Sequence, residues 1–322
     1  MPRLRASLLS LLLASSLSGG TVVPPAPDRK APEKSDWVFS ILPKSLQKNP
    51  NLELTVITEM TEAGKKLPPV SPEQPAYFQL HANGLKDYGD ASGIKRTFKP
   101  EEIERLLLRS LGTNGYLPAK MPEQSPSLLI FYTWGSHNTL SEPDEENGSL
   151  SASAVAANIL DRAALVGGDK FAKKLIDLFA QADSLNLAAN AQLAPGGEPP
   201  IPASLVAFAN PVNLFKLADP KNEFLLDQSS VDLFYVVASA YDYRALAANK
   251  RVLLWRTRMT VASQGVSQEQ TFPTLVLSAA PFFGKDMPGP EIIQKRALRE
   301  NVEIGTPTVI ESVVPARPST KK

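Results

Sequence analysis

Apolar and polar residues alternate along two long stretches in the second half of the chain, residues 231–243 and 251–262. Neighbouring side chains of a β-strand point to opposite faces, so a period of two predicts a half-buried strand. In the second stretch this period puts Trp255 on the apolar face and Arg256 and Arg258 on the other. The two stretches are therefore predicted to form an antiparallel hairpin with Trp255 in the core.

Three upstream stretches also predict strands. Residues 52–60 and 76–82 are rich in β-branched and aromatic side chains and are separated by a proline-bearing connector. Residues 127–134 are apolar on both faces, which is typical of a central strand that is covered on both sides. A last strand is predicted at residues 302–313.

Helical periodicity occurs between these strands. Pro100 is suited to the first position of a helix, leucines at helical spacing follow it, and Gly112 is a natural stop. Residues 151–166 and the segment that follows Gly167 and Gly168 predict a helical hairpin. Further helices are predicted at 211–227 with a break at Pro220, at 268–283, and near 290–299.

The predicted order is β-β-α-β, a helical insertion at about 140–225, then β-β-α and a final strand. This order indicates an α+β fold: a mixed, largely antiparallel sheet with packed helices and a helical-hairpin insertion. We expect a single domain of this kind over residues 37–315, followed by a frayed tail over residues 316–322.

The first 20 residues carry the pattern of an export signal. Arg3 and Arg5 precede an uncharged, leucine-rich run at 6–17, which is too short to span a bilayer. Residues 21–36 combine prolines with mixed charges, the composition of a disordered tether. We therefore expect a signal peptide over residues 1–20 and export to the periplasm or outer-membrane periphery of a Gram-negative-type bacterium.

Leu17, Ser18 and Gly19 resemble the residues that precede the lipidated cysteine of bacterial lipoproteins, and Gly20 stands where that cysteine would be. A thioether lipid cannot attach to glycine. Two interpretations remain: the chain is secreted free after ordinary cleavage, or Gly20 marks the loss of an anchor. No later apolar run approaches the roughly 18 residues of a membrane helix, so the mature chain is expected to have none.

Charge and residue usage narrow the function classes. The 322-residue chain has 34 Lys and Arg against 33 Asp and Glu, a net charge of +1, so no broad positive field is available to bind nucleic acid. The absence of cysteine excludes disulfides, thiol catalysis and thiolate metal sites. The two histidines, His81 and His137, have the spacing of no recognised zinc motif, and we expect no metal or cofactor.

The sequence contains two candidate catalytic groups, and the evidence for a catalytic role is weak for both. Ser45 and Lys48 match the S-x-x-K motif of penicillin-binding enzymes, but the companion motifs are absent and Ser319 with Lys322 repeats the pattern in the tail. His137 follows a buried strand and could shuttle protons, but no carboxylate partner is near it in sequence. A hydrogen-bonded structural histidine is the favoured interpretation.

Other motifs favour structural interpretations over functional ones. Residues 167–170 could form a phosphate loop, but a turn between helices explains them better, and residues 144–146 lack the alternation of a calcium loop. Trp255 could stack on a sugar, but the alternation of apolar and polar residues in its strand places it in the core. Arg256 and Arg258 are predicted to pair across the hairpin, with the candidate partners Asp232 and Asp242.

Several short motifs resemble small cell-envelope domains of unknown function that occur on bacterial lipoproteins. They are Gly115-Tyr116 before an apolar strand, Tyr241-Asp242-Tyr243, and Leu254-Trp255-Arg256 at a strand start. The order of elements also resembles the periplasmic domain of the curli secretion channel. The resemblance covers the parts that flank the insertion. It implies an envelope location, and it transfers no catalytic residue.

These observations predict an exported cell-envelope protein that acts as a non-catalytic scaffold, adaptor or assembly factor, with envelope proteins as partners. The alternative is an envelope hydrolase that acts on peptidoglycan or glycan. That enzyme would need a cleft that joins Ser45 or His137 to carboxylates distant in sequence. The sequence assigns no catalytic, cofactor-binding or metal residue.

Overall fold

A computed structural model describes residues 43–47, 49–89, 98–140, 152–191, 206–207 and 209–297. The predicted signal peptide, the tether, the strand at 302–313 and the tail lie outside these residues. The acidic segment that includes residues 144–146 lies outside them as well. Within the described residues, no helix combines the length and the apolar content that a membrane crossing requires.

Seven strands of the described chain form one mixed sheet in the order β3-β2-β4-β5-β6-β1-β7. Strands β3, β2 and β4 run parallel, and every pairing from β4 through β7 is antiparallel. The predicted α+β class with a mixed, largely antiparallel sheet is thereby confirmed. In chain order the strands are β1 Asn51–Met60, β2 Ala76–Leu85, β3 Tyr116–Pro118, β4 Leu128–His137, β5 Leu233–Asp242, β6 Leu253–Ala262 and β7 Glu291–Arg296.

Seven α-helices lie in the described part of the chain. They are α1 Glu62–Lys65, α2 Pro100–Gly112, α3 Ala152–Ala191, α4 Pro211–Ala218, α5 Pro220–Ser229, α6 Tyr243–Ala247 and α7 Gln268–Ser278. The predicted break at Pro220 is confirmed, because Asp219 ends α4 and its side chain caps α5 through the backbone amide of Lys221. The first backbone N–H of a helix has no acceptor within the helix, so Pro220, which lacks this group, costs α5 no hydrogen bond.

The prediction of a helix near residues 290–299 is wrong. This segment contains β7, which pairs with β1 through contacts such as Leu54 opposite Ile293. The ladder hydrogen bonds with β1 stabilise the extended conformation of this segment more than its local sequence pattern stabilises a helix. The short elements β3, α1 and α6 were also not indicated by the sequence.

One face of the sheet, called the inner face, packs against α2 and α7 and forms the main core. Helix α2 begins at Pro100, and its buried residues Ile103, Leu107 and Leu111 repeat at intervals of four. This spacing aligns them on one stripe that faces the sheet. Trp255 of β6 is 2% exposed on this face, as the alternation predicted.

The opposite face, called the outer face, carries α3 over β1 and β6. Helix α3 is interrupted at Gly168, whose backbone has φ 84° and ψ 178°. A side chain there would be strained and would collide with Ile57 and Glu59 of β1, so glycine permits the close approach. The helix break predicted from Gly167 and Gly168 is confirmed. A smaller apolar cluster joins α3 to α4 and α5.

Candidate functional site

Helix α3 covers only part of the outer face, and a cavity of about 690 Å³ lies on the remainder. Its floor is formed by outward-facing side chains of β4, β5 and β6. Asp161 and Leu165 of α3 bound it on one side. Asn83, Lys86 and Tyr88, at the end of β2 and just after it, bound the other. We call this concave surface the basic groove.

The strand register places three side chains in one row across the floor of the basic groove. Phe131 of β4 lies opposite Ser239 of β5, and Ser239 lies opposite Arg256 of β6. Side chains that face each other on neighbouring strands are close enough to interact. Accordingly, the Nε of Arg256 donates a hydrogen bond to the Oγ of Ser239 at 3.1 Å.

The two arginines of β6 have different environments. Arg258 is buried, and its guanidinium contacts Oε2 of Glu59 and Oδ1 of Asp169, both at 2.5 Å. Glu59 also accepts a hydrogen bond from the backbone amide of Asp169, just after the break in α3. Arg256 pairs with no carboxylate among the described residues. Within these residues, its Nε alone has a hydrogen-bond partner, the Oγ of Ser239.

The predicted pairing of Arg256 and Arg258 with Asp232 or Asp242 is wrong. Oδ1 of Asp232 accepts hydrogen bonds from the backbone amide and the hydroxyl of Thr139, at 2.7 and 2.8 Å. Asp242 instead caps α6. Both carboxylates already accept hydrogen bonds at opposite ends of β5, away from the middle of the outer face where the arginines lie.

The basic groove has an excess of positive charge. Lys86, Arg251 and Arg256 line it, and Asp161 is the one carboxylate among its lining residues in the described chain. Arg258 also lines it, but the two carboxylates that it contacts more than offset its charge. Because a concave, partly apolar wall concentrates the field of its charges, the basic groove attracts anionic groups.

Aromatic rings lie along the strands on both sides of this row, and Phe131 of the row belongs to the first group. At one end, the rings of Phe131 and Tyr241 meet edge to face with centroids 5.7 Å apart. At the other end, the ring of Tyr88 lies 5.3 Å from that of His137 and 6.5 Å from that of Tyr235. Burial raises the pKa of Tyr235, so its phenol stays protonated and donates to the carbonyl of Lys86 at 2.8 Å.

His137, at the end of β4, is 4% exposed and lines the basic groove. Its Nδ1 is buried and has no hydrogen-bond partner within the described residues. The backbone of Asn138 hydrogen-bonds to the ring, which agrees with the predicted hydrogen-bonded structural histidine. Burial lowers the pKa of His137, and the nearby cation of Arg162 lowers it further, which favours the neutral imidazole.

We predict that His137 makes the protein less stable in acid. The unfolded chain binds a proton below about pH 6.5, whereas the folded imidazole resists protonation, so the free energy of unfolding falls as the pH drops through this range. His137→Gln should remove this part of the slope, at most about 1.4 kcal/mol per pH unit for one proton. Urea denaturation between pH 7.5 and pH 4.5 measures it.

His81 provides the matched control, since it is the other histidine and is exposed on β2. His81→Gln should retain the pH dependence of the unmodified protein. Equal slopes for the His137→Gln variant and the unmodified protein would contradict the prediction.

No family model, curated protein or solved structure matches this chain.

The candidate catalytic residues are not brought together around the basic groove. Ser45 is exposed in the short turn Lys44–Leu46 and is not part of the groove lining. Ser239 and His137 lie on neighbouring strands, but Ser239 faces Phe131, six residues before His137 along β4. At about 3.3 Å per residue this separates them by roughly 20 Å, too far for a nucleophile and its base.

The described chain also contains no group of three or more His, Asp or Glu side chains that could hold a metal ion. The candidate phosphate loop at 167–170 is the break in α3, and the amide of Asp169 is held by the carboxylate of Glu59 at 3.0 Å. An anionic side chain of the protein itself therefore occupies the position that a phosphate would take.

Sequence reasoning missed the basic groove. The alternation of β6 did place Arg256 on the face opposite Trp255. It could not indicate that Ser239 and Phe131 continue the same row, because strand register depends on pairing between distant segments. The sequence also could not indicate which part of the outer face α3 covers, because this depends on tertiary packing.

Proposed function

We propose that this protein is an exported cell-envelope protein that acts by binding, as a scaffold, adaptor or assembly factor. We further propose that the basic groove binds an acidic, extended segment of a partner protein. The observation that carries the proposal is Arg256, a partly buried arginine that no carboxylate neutralises among the described residues. A partner's carboxylate can supply that missing negative charge.

The composition of the basic groove favours a peptide as the ligand. A guanidinium binds carboxylates through two parallel hydrogen bonds, and among the described residues Arg256 donates only from its Nε. Phe131 and Tyr241 beside it offer aromatic contacts to the apolar side chains of the same segment. The net charge of +1 disfavours a long polyanion, which gains affinity from many phosphate contacts.

The hydrolase alternative receives less support from this geometry. Glycoside hydrolysis commonly uses two carboxylates that flank the scissile bond. Asp161 is the one carboxylate that lines the basic groove within the described residues, and neither Ser45 nor a second acid joins it. Binding without catalysis is therefore the better account of this site.

We predict that Arg256→Gln weakens binding of an acidic peptide at least about tenfold, since a hydrogen bond to a charged group contributes roughly 1.5–3 kcal/mol. The probe is a synthetic peptide of alternating Glu and Phe, measured by fluorescence anisotropy at several salt concentrations. Affinity should fall as salt increases, because charges at an open groove are screened.

Two comparisons make this test specific. Arg109→Gln removes an exposed arginine from α2, which packs on the inner face, and should leave the affinity unchanged. A peptide of alternating Lys and Phe should bind far more weakly than the Glu peptide. Equal binding of the two peptides, tighter binding of single-stranded DNA, or unchanged affinity in Arg256→Gln would each refute the proposed ligand.

Export is tested separately. In a Gram-negative host the full-length chain should lose its first 16–20 residues, since the arginines, apolar run and small residues stand in the order that signal peptidases require. Intact mass spectrometry of the protein from the periplasmic fraction measures the cleavage. Recovery of the protein with Met1 retained, in the cytoplasm, would contradict the proposed location.

A further inference from the structure

A second cavity, of about 790 Å³, lies at one end of the sheet. It lies where β1 and β5 end and where β2, β4 and β6 begin. It shares no lining residue with the basic groove. We call it the apolar cavity, and the inference drawn from it is independent of the proposed function.

Carbon-rich side chains form most of the apolar cavity. One wall is the loop between α1 and β2, with Leu67, Pro68 and Val70. The opposite side is contributed by the starts of β4 and β6, where Leu128 and Trp255 are buried. A volume of this size and lining is typical of sites that bury a small ligand.

The loop that forms this wall is held in place. Ser71 and Gln74 exchange backbone hydrogen bonds of 3.2 and 3.1 Å, which closes a turn. The carbonyl of Ser71 lies against Gly115, where a Cβ atom would approach it to 2.2 Å. The backbone amide of Ala76 also donates to the carbonyl of Gly115 at 3.0 Å. The apolar cavity is therefore formed before any ligand arrives, which lowers the entropic cost of binding.

Three basic residues line the apolar cavity together with one acidic residue. Lys65 is paired with Glu62 at 3.4 Å and with Asp286 at 3.2 Å. Arg244 and Lys285 are exposed and form no ion pair among the described residues.

The acidic residue is Asp242, whose Oδ1 accepts the backbone amide of Ala245 at 2.8 Å. Two cations thus border an apolar space, and neither forms an ion pair within the part of the chain that the structure describes.

We propose that the apolar cavity binds a single long-chain carboxylate in monomeric form. The chain occupies the space between Val70 and Trp255, and the carboxylate lies at Arg244 and Lys285. A neutral apolar ligand would gain no electrostatic attraction from these two exposed cations. A cationic amphiphile would be repelled by them. The combination of an apolar interior with basic lining residues matches a ligand that has an apolar chain and one anionic end.

Chain length and head-group charge test this ligand class. Octanoate, decanoate and dodecanoate, each below its micelle-forming concentration, are titrated into the full-length protein by isothermal calorimetry. Burial of each added methylene should raise affinity about fourfold, so each two-carbon step should raise it about fifteenfold. Dodecyltrimethylammonium, with the same chain and a positive head, should bind at least tenfold more weakly than dodecanoate.

Two variants place the ligand in the apolar cavity. Arg244→Gln combined with Lys285→Gln should weaken dodecanoate binding at least tenfold and leave the chain-length steps unchanged. Lys120→Gln combined with Lys174→Gln removes two exposed lysines elsewhere and should leave affinity unchanged. Val70→Trp fills the space from the loop and should abolish binding, with folding checked by thermal denaturation.

Four results would overturn the proposal. They are the absence of a chain-length dependence, equal binding of the cationic amphiphile, unchanged binding in the Arg244 and Lys285 double variant, and binding to anionic lipid vesicles without binding of monomeric dodecanoate. The last result would assign the surface to a membrane instead of a free chain. If Val70→Trp fails to fold, the double variant still decides, because its two residues are exposed.

Discussion

Trp255→Ala is expected to lower the free energy of unfolding by about 3–5 kcal/mol, the usual loss when a large aromatic side chain is removed from a core. The indole is 2% exposed on the inner face. Its ring centroid lies 5.7 Å from that of Tyr116 and 6.1 Å from that of Phe283. Three segments distant in sequence therefore lose contacts at once. Urea denaturation followed by circular dichroism measures the change.

Arg256→Ala is the matched control, one residue further along the same strand. Its side chain lies on the outer face and is partly exposed, and its one hydrogen bond within the described residues is to Ser239. We expect a loss of about 1 kcal/mol or less. Similar small losses for both variants would contradict the burial of Trp255, and a ligand-stacking role for that indole would then be favoured.

Arg162→Ala is expected to cost about 2–4 kcal/mol, because it removes the donor from buried carbonyls. Arg162 is 2% exposed, and it donates to the carbonyls of Ser229 at 2.7 Å and Asn138 at 3.0 Å. A further hydrogen bond joins it to the side chain of Asn158. These contacts connect α3 to the segment after β4 and to the end of α5.

The control for Arg162 is Arg109→Ala, which removes an exposed arginine of α2 and should change stability by less than about 0.5 kcal/mol. Arg162→Met keeps most of the apolar volume and should lose less than Arg162→Ala, since no cavity forms. Chemical denaturation of the three variants gives the order of their free energies of unfolding. Equal stability of Arg162→Ala and Arg109→Ala would show that the buried hydrogen bonds contribute nothing.

Arg162 also connects stability to the proposed site. Asp161, the neighbouring residue of α3, lines the basic groove, and the cation of Arg162 lowers the pKa of His137 in the same cavity. Loss of Arg162 should therefore raise the pKa of His137 towards its ordinary value. Titration of the His137 ring by NMR measures this shift. Arg162 thus joins α3 to the segment after β4 without lining the basic groove.

Local sequence patterns were sufficient to predict several of the helices and strands. The period of two in residues 251–262 predicted β6 and the burial of Trp255, because side-chain direction in a strand alternates whatever its partners are. Pro100 and the glycine pair at 167–168 marked a helix start and a helix break, because their backbone preferences act within a few residues. Export and an envelope location stay predictions from the first 36 residues.

The tertiary structure alone decided the partners of these elements. Residues 290–299 have a helix-like pattern, yet they contain β7, because the edge of β1 offers backbone partners that lie far away in sequence. Arg258 pairs with Glu59 and Asp169, which neighbour it only after β1, β6 and α3 have packed. Alternation assigned both arginines to the outer face. Strand register and the partial cover by α3 determined that Arg258 is paired with two carboxylates, while Arg256 forms no ion pair among the described residues.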